Sequence, residues 1–233
     1  MKKLVVITGA SSGIGAAIAE RLSKAGHPLL LLARRVERLQ ALNLPNCLCE
    51  QVDITKREQL AQALNKAVEK FGPVDALINN AGVMLLGQIE DQAASEWSQM
   101  FEVNVLAILN GMQAVLAPMK ESNTGTIINI SSVAGRKTFG DHAAYCGTKF
   151  AVHAITENVR EEVADSNVRL ITIAPGAVET ELLSHTTSQA IKAGYEDWKN
   201  SMEGVLEADD VARAVEFAYA QPQGVCIREI VLA

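Results

Sequence analysis

Seven short apolar runs punctuate the chain, and between them apolar residues recur at helical spacing. The runs lie at 4–8, 29–33, 47–52, 74–78, 125–130, 168–174 and 225–232. Each is a few residues long, and their continuous rather than alternating apolar character marks strands covered on both faces, the condition of a parallel sheet. Between them, Ile14, Ile18 and Leu22 repeat every four residues. Leu60, Leu64, Ala67, Val68 and Phe71 form a second stripe, and Val211, Ala212, Val215 and Ala218 a third, so each of these helices has one face to lay inward. Strand-like and helix-like segments alternate from end to end. That order predicts an α/β fold: a single-domain Rossmann fold with a doubly wound, seven-stranded parallel sheet and helices on both faces.

Two segments depart from the alternation. The stretch from Ser95 to Met119 is longer, and its apolar positions nearly encircle it, which predicts burial between the sheet and a neighbouring subunit. Residues 177–203 follow a strand end and are mixed in polarity, as expected of a flexible cover over whatever binds there.

The 233 residues contain no linker-like stretch or repeat, so one domain over 1–233 is expected. Hydrophobic residues make up 48% but aromatics only 4%, which makes the core aliphatic. The net charge of −6 argues against nucleic acid or an anionic membrane as partner, since both reward clustered Lys and Arg. The apolar stretch after Met1-Lys2-Lys3 stops at Thr8-Gly9, too soon for a signal peptide, and no other run approaches the ~18 residues of a membrane span. Cys47, Cys49, Cys146 and Cys226 have no metal or redox spacing. They read as buried thiols in a reduced, cytoplasmic setting, with no metal site.

The first run leads into Thr8-Gly9-Ala10-Ser11-Ser12-Gly13-Ile14-Gly15 and then a helix. Three glycines permit a sharp turn close to a ligand, and the unpaired amides of the helix start favour an anion such as a pyrophosphate; an ordinary tight connection has the same spacing. In a doubly wound sheet the ligand sits beyond the carboxyl ends of the strands. After the second strand stand Arg34 and Arg35, about where an NAD-binding fold carries an acid for the ribose 2′-hydroxyl. Two guanidinium groups there suit a 2′-phosphate, or else lie on a solvated helix start near Glu37. Asp53, with Ile54, borders an adenine or caps the helix beginning near Thr55. Asn79-Asn80-Ala81-Gly82 forms either a small-residue track along a cofactor or an Asn-rich turn. Thr180, after Pro175-Gly176, offers its hydroxyl to a carboxamide or caps a helix.

After the fifth strand comes Ser132, with Tyr145 thirteen residues on and Lys149 one helical turn later. On one helix face the ammonium would favour the ionised phenol; moving a tyrosine from ~10 toward neutral takes roughly 3 to 4 kcal/mol, which Lys149 and an oxidised nicotinamide would supply together. Tyr195 and Lys199 repeat the spacing without a preceding strand and serine, and read as surface helix.

Thr8-Gly9-x-x-x-Gly13-x-Gly15, Asn79-Asn80-Ala81-Gly82, Asn104, Ser132, Tyr145-x-x-x-Lys149 and Pro175-Gly176 stand in the order and spacing of the short-chain dehydrogenase/reductase family, which the whole chain resembles. The resemblance implies an oxidoreductase binding NADP(H) and a small carbonyl or alcohol substrate. It implies Tyr145 as general acid/base, Ser132 on the substrate oxygen, Lys149 also on the nicotinamide ribose, and Asn104 anchoring a proton-relay water. Cofactor contacts would come from Gly9, Ser11, Ser12, Gly13, Ile14, Gly15, Arg34, Arg35, Asp53, Ile54, Asn80, Ala81, Gly82, Tyr145, Lys149, Pro175, Gly176, Val178 and Thr180. A homotetramer or homodimer paired through the helices around 95–119 and 143–165 is also implied. Within the family, residues 33–38, 142–149 and 181–187 resemble the bacterial NADPH-binding blue fluorescent proteins, which implies brightened NADPH emission.

Met84, Leu85, Leu86, Phe139, His142, Leu182, Leu183 and Trp198 are expected to line a mostly apolar substrate pocket. His142 and His153 read as helix-start and packing residues. A non-catalytic nucleotide sensor on the same fold is the competing reading, against which Ser132, Tyr145 and Lys149 weigh.

Overall fold

The structure, a computed structural model, describes residues 2–233. Its strands are β1 Leu4–Thr8, β2 Leu29–Ala33, β3 Cys47–Gln51, β4 Val74–Asn79, β5 Gly125–Ile130, β6 Val168–Pro175 and β7 Glu229–Leu232. They form one sheet in the order β3-β2-β1-β4-β5-β6-β7, parallel at every pairing. The helices are α1 Gly13–Lys24, α2 Val36–Ala41, α3 Arg57–Phe71, α4 Ala94–Phe101, α5 Ala107–Glu121, α6 Ala143–Glu162, α7 Gln189–Asn200 and α8 Ala208–Tyr219.

Successive residues of a strand point to opposite faces, and each face has its own core. Leu4, Val6, Leu30 and Leu32 meet Leu60 and Leu64 of α3, Met112 and Val115 of α5 and Val152 of α6. Val5, Ile7, Leu29 and Leu31 meet Ile18 and Leu22 of α1, Leu39 of α2 and Val211 and Val215 of α8. The predicted doubly wound, seven-stranded parallel sheet is the fold observed.

Several expectations are corrected. β7 begins at Glu229 rather than 225, because buried Arg169 takes the carbonyl oxygens of Val225, Gln221 and Tyr219, holding that segment in a loop. The 95–119 segment is part of a continuous helical run, Ala94–Glu121, with a π-helical turn at Glu102–Leu106 between α4 and α5. It is 28 residues long and contains an 18-residue stretch of mean hydropathy 1.5, which by length and composition would cross a membrane, so a stretch of that length does exist. Here Met100, Ile108, Met112, Val115 and Met119 are buried, while Phe101, Leu106 and Leu109 stay exposed. Of the four thiols only Cys146 is buried. Cys47 and Cys49 share one face of edge strand β3 with their sulfurs 3.7 Å apart, and Cys226 is exposed. Val68 leaves its helical stripe for solvent.

Candidate active site

The order of the strands reverses between β1 and β4, so their following loops diverge and leave a crevice at the carboxyl ends. Thr8 and Asn80 tie the two loops together across it. The Thr8 hydroxyl accepts from the amides of Asn80 and Ala81, each at 3.0 Å, and the Asn80 amide donates to the carbonyls of Thr8 and Gly9 at 3.0 and 3.2 Å. The approach is close enough that a Cβ on Gly9 would lie 2.8 Å from the Ala81 Cα. One on Gly15 would lie 2.4 Å from the Gly9 oxygen. Gly15 thus serves the packing of the loops and does not line the cavity, a correction to its expected place beside the ligand. Ser12 stands at the start of α1 without a side-chain capping hydrogen bond, and no acid occupies the first turn, which leaves the helix amides and their dipole to an anion.

The crevice opens into an elongated cavity of about 730 Å³. Lining it are Gly9, Ser11, Ser12, Gly13, Ile14, Arg34, Arg35, Asp53, Ile54, Asn80, Ala81, Gly82, Pro175, Gly176, Val178 and Thr180, with Ser132, Tyr145 and Lys149. The predicted residues therefore come together from the ends of all but the last of the strands. Arg35 turns into the cavity, donating to Ser12 at 3.0 Å and Ser11 at 3.4 Å, so it is not merely a solvated helix start. Asp53 does not cap α3, which begins at Arg57; its carboxylate accepts from the amide and hydroxyl of Thr55, and it lines the cavity. Thr180 caps the 3₁₀ turn Glu181–His185 and also lines the cavity. Asn79 is fully buried and bonded to Asn129 at 2.8 Å, so the track over the cavity starts at Asn80.

Ser132 sits at the end of β5, where its hydroxyl accepts from the Ala134 amide. Tyr145 and Lys149 share the inward face of α6 with Val152, Thr156 and Val159. The Lys149 nitrogen lies 5.7 Å from the Tyr145 ring centre and donates to the Ile130 carbonyl at 3.1 Å. Burial pushes the Tyr145 phenol above its usual value, against a hydrogen bond with Ser132 that pulls it down. Burial likewise brings Lys149 down to about 8. In the protein alone, then, burial is the largest influence on the phenol, whereas the expectation from the spacing joined Lys149 to an oxidised nicotinamide. Asn104 lies in the π-helical turn outside the cavity lining. Its side chain accepts from the Val83 amide at 2.8 Å and donates to the Val83 carbonyl at 2.9 Å and to Thr148, which pins the segment leading to Met84.

The cover, 177–203, is tied down at three places. Leu206 donates to the Ala177 carbonyl and accepts from the Glu179 amide. Buried Thr186 accepts from the Leu86 amide at 3.1 Å and donates to the Met84 carbonyl at 3.2 Å. Met84, Leu86, Phe139, His142, Leu182, Leu183 and Trp198 line the cavity as expected, whereas Leu85 packs behind them. Tyr195 corrects its reading as surface helix: it lines the cavity and lies 6.1 Å, centre to centre, from His142. Three further residues were missed. Arg38 donates to Glu181 at 2.8 Å, and His185 lines the cavity with a buried Nδ1 that has no partner among the described residues. Arg38 stands one turn beyond Arg35 on α2, a spacing that points to a shared face; Glu181 and His185 lie far off in sequence and carried no such signal.

A glycine turn feeding a helix start, two arginines on the rim and a long cavity with an orphaned imidazole nitrogen together fit a phosphorylated dinucleotide. Comparison with known proteins agrees. The model of the family described as short chain dehydrogenase matches residues 3–191. An uncharacterized oxidoreductase of Staphylococcus saprophyticus is 40% identical over 99% of this chain and 95% of that protein. Among solved structures, the closed form of serine dehydrogenase complexed with NADP+ is similar at a TM-score of 0.92 and 29% identity, covering 98% of this chain and 94% of that one. The alcohol dehydrogenase of the archaeon Thermococcus sibiricus complexed with 5-hydroxy-NADP gives a TM-score of 0.86 at 29% identity, covering 100% of this chain and 96% of that one.

Proposed function

The chain belongs to the short chain dehydrogenase family of oxidoreductases, and from that premise we propose that it uses NADP(H) to interconvert a carbonyl and an alcohol, with Tyr145 as the general acid/base. The observation that carries the reading is the convergence of Ser132, Tyr145 and Lys149 with the Gly9–Ile14 loop and Arg35 on one cavity. When bound, NADPH supplies the hydride. The amides of the Gly9–Ile14 loop and α1 would hold its pyrophosphate, and Arg34 and Arg35, with Ser11, would hold the 2′-phosphate.

In reduction, Ser132 donates a hydrogen bond to the substrate oxygen and Tyr145 gives that oxygen its phenolic proton. A phenol pushed up by burial is fully protonated at neutral pH, the state a proton donor needs. Lys149 contributes its charge beside the ring and, with its ribose contact, holds the cofactor. In the reverse direction the phenol must lose its proton, and the positive charge of Lys149 and of an oxidised nicotinamide would both favour that. Asn104, held against Val83 and Thr148, fixes the backbone at Val83 in this reading and anchors a proton-relay water.

The protein works as one domain over 1–233 and, in this reading, in the cytoplasm. It pairs with a second copy through α4, α5 and α6, where Phe101, Leu106, Leu109 and Phe150 are exposed; such an apolar face is normally covered. The segments resembling the blue fluorescent proteins support a further reading, in which NADPH held under Leu182 and Leu183 emits more strongly.

Turnover and cofactor binding in the Tyr145→Phe variant test the proposal. Carbonyl-dependent NADPH oxidation should fall by several orders of magnitude while the Kd for NADPH stays within about twofold, because only the phenolic proton is removed. Retention of most of kcat would show that another group moves the proton.

A further inference from the structure

The half of the cavity beyond Tyr145 is walled by aromatic rings drawn from two separate segments. Phe139 and His142 come from the turn before α6, and Tyr195 and Trp198 from α7 of the cover. They close into a circuit. The centres of Phe139 and His142 are 5.5 Å apart, Phe139 and Trp198 6.4 Å, Tyr195 and Trp198 5.2 Å, and His142 and Tyr195 6.1 Å. Tyr145 joins the circuit edge-on, 6.2 Å from His142. In a chain with only 4% aromatic residues, this concentration beside the proton donor is a built feature of the site.

The basic group beside the circuit is already engaged. Lys199, the one basic residue that α7 brings to the lining, is held by Glu196 at 2.7 Å and Glu179 at 3.0 Å. Asp141 takes a hydrogen bond from Gln88. Burial pushes His142 below its usual range, so it stays neutral at physiological pH. Lys137 covers the Phe139 ring at 4.9 Å but does not line the cavity, and Lys149 faces the Ile130 carbonyl on the cofactor side. A carboxylate entering this chamber would meet Asp141 and Glu196 with no free cation to receive it, and would lose its hydration without recompense. A flat neutral ring laid against this wall would find ring edges and faces to pack on, each such contact worth roughly two- to tenfold in affinity.

Resting on the reading of the chain as a carbonyl reductase, we infer that its substrates are neutral aryl aldehydes or ketones, and that carboxylate-bearing carbonyl compounds are excluded. The ring lies among Phe139, His142, Tyr195 and Trp198, and the carbonyl points to Ser132 and Tyr145. This sets the chain apart in substrate from a dehydrogenase acting on an amino acid such as serine, whose carboxylate this chamber does not accommodate.

The test compares benzaldehyde with 4-carboxybenzaldehyde, which share ring and carbonyl and differ in charge. NADPH oxidation should show kcat/KM at least tenfold higher for benzaldehyde, and Trp198→Ala and Tyr195→Ala should each raise its KM several-fold while the NADPH Kd is unchanged. Trp198→Arg should narrow or reverse the preference by supplying the missing cation. Equal or better turnover of the carboxylated aldehyde would overturn the assignment. Ligand-observed NMR of benzyl alcohol against benzoate, on the protein alone, reads the chamber without chemistry. Benzyl alcohol bound in preference, and released by Trp198→Ala, supports the chamber even if neither aldehyde is turned over, in which case the reductase reading alone has failed. Benzoate bound as well as benzyl alcohol overturns the chamber itself.

Discussion

The carboxylate of Glu181 lies 3.1 Å from both terminal nitrogens of Arg35, across 146 residues of sequence. It also accepts from Arg38 at 2.8 Å, and the two arginines hold it below the usual carboxylate range. An anion from the cover thus sits in the cationic cradle assigned above to the 2′-phosphate of NADP(H).

Glu181 should therefore compete with that phosphate. Glu181→Gln is expected to tighten NADPH binding several-fold and to leave NADH nearly unchanged, since NADH brings no second anion to the arginines. Replacing Arg34 and Arg35 by Ala should act the opposite way, losing roughly tenfold to a hundredfold for NADPH, as charge-assisted phosphate contacts of ~1.5 to 3 kcal/mol imply. Titration with both cofactors reads each variant. An NADPH Kd unmoved in either one removes these residues from cofactor choice.

Lys149 should cost the fold stability at neutral pH. Its value of about 8 in the folded chain lies below the ~10.4 of a free lysine, so between these values the unfolded chain binds more protons. Stability then rises with pH across that window, and the penalty is fully present below it. Lys149→Met is expected to raise stability at pH 7 by on the order of 2 kcal/mol, or roughly 5 °C in Tm, with activity lost. The advantage should shrink toward pH 10. A variant destabilised at pH 7, or one whose gain does not depend on pH, would show that the ammonium is compensated in the fold.

Light emission separates cofactor binding from catalysis. A reduced nicotinamide held under Leu182 and Leu183 loses water contact and freedom to relax, so bound NADPH should be brighter and bluer than free NADPH. NADP+ should be dark, and Tyr145→Phe should stay bright. Emission spectra at saturation decide it: identical intensity and peak position for free and bound cofactor would leave only an ordinary reductase.

How much of this was legible in advance follows from the range over which each interaction acts. The two-faced apolar runs and the 3.6-residue stripes are local, and they determined the seven-stranded parallel sheet and the helices on either side. The Gly9–Gly15 turn, Ser132 and the Tyr145–Lys149 pair are also short-range patterns, and strand order alone carries them to one crevice. What the sequence did not show depends on segments that meet only in three dimensions. Glu181 and Arg35 find each other because the cover folds back over α2, held by Thr186 on the Met84–Leu86 backbone. Tyr195 read as a surface residue because its neighbours Glu196 and Asp197 are polar, yet α7 rotates it toward His142. Titration likewise belonged to the tertiary structure. The spacing of Tyr145 and Lys149 placed an ammonium near the phenol but could not register burial, which in the protein alone is the largest effect on both groups.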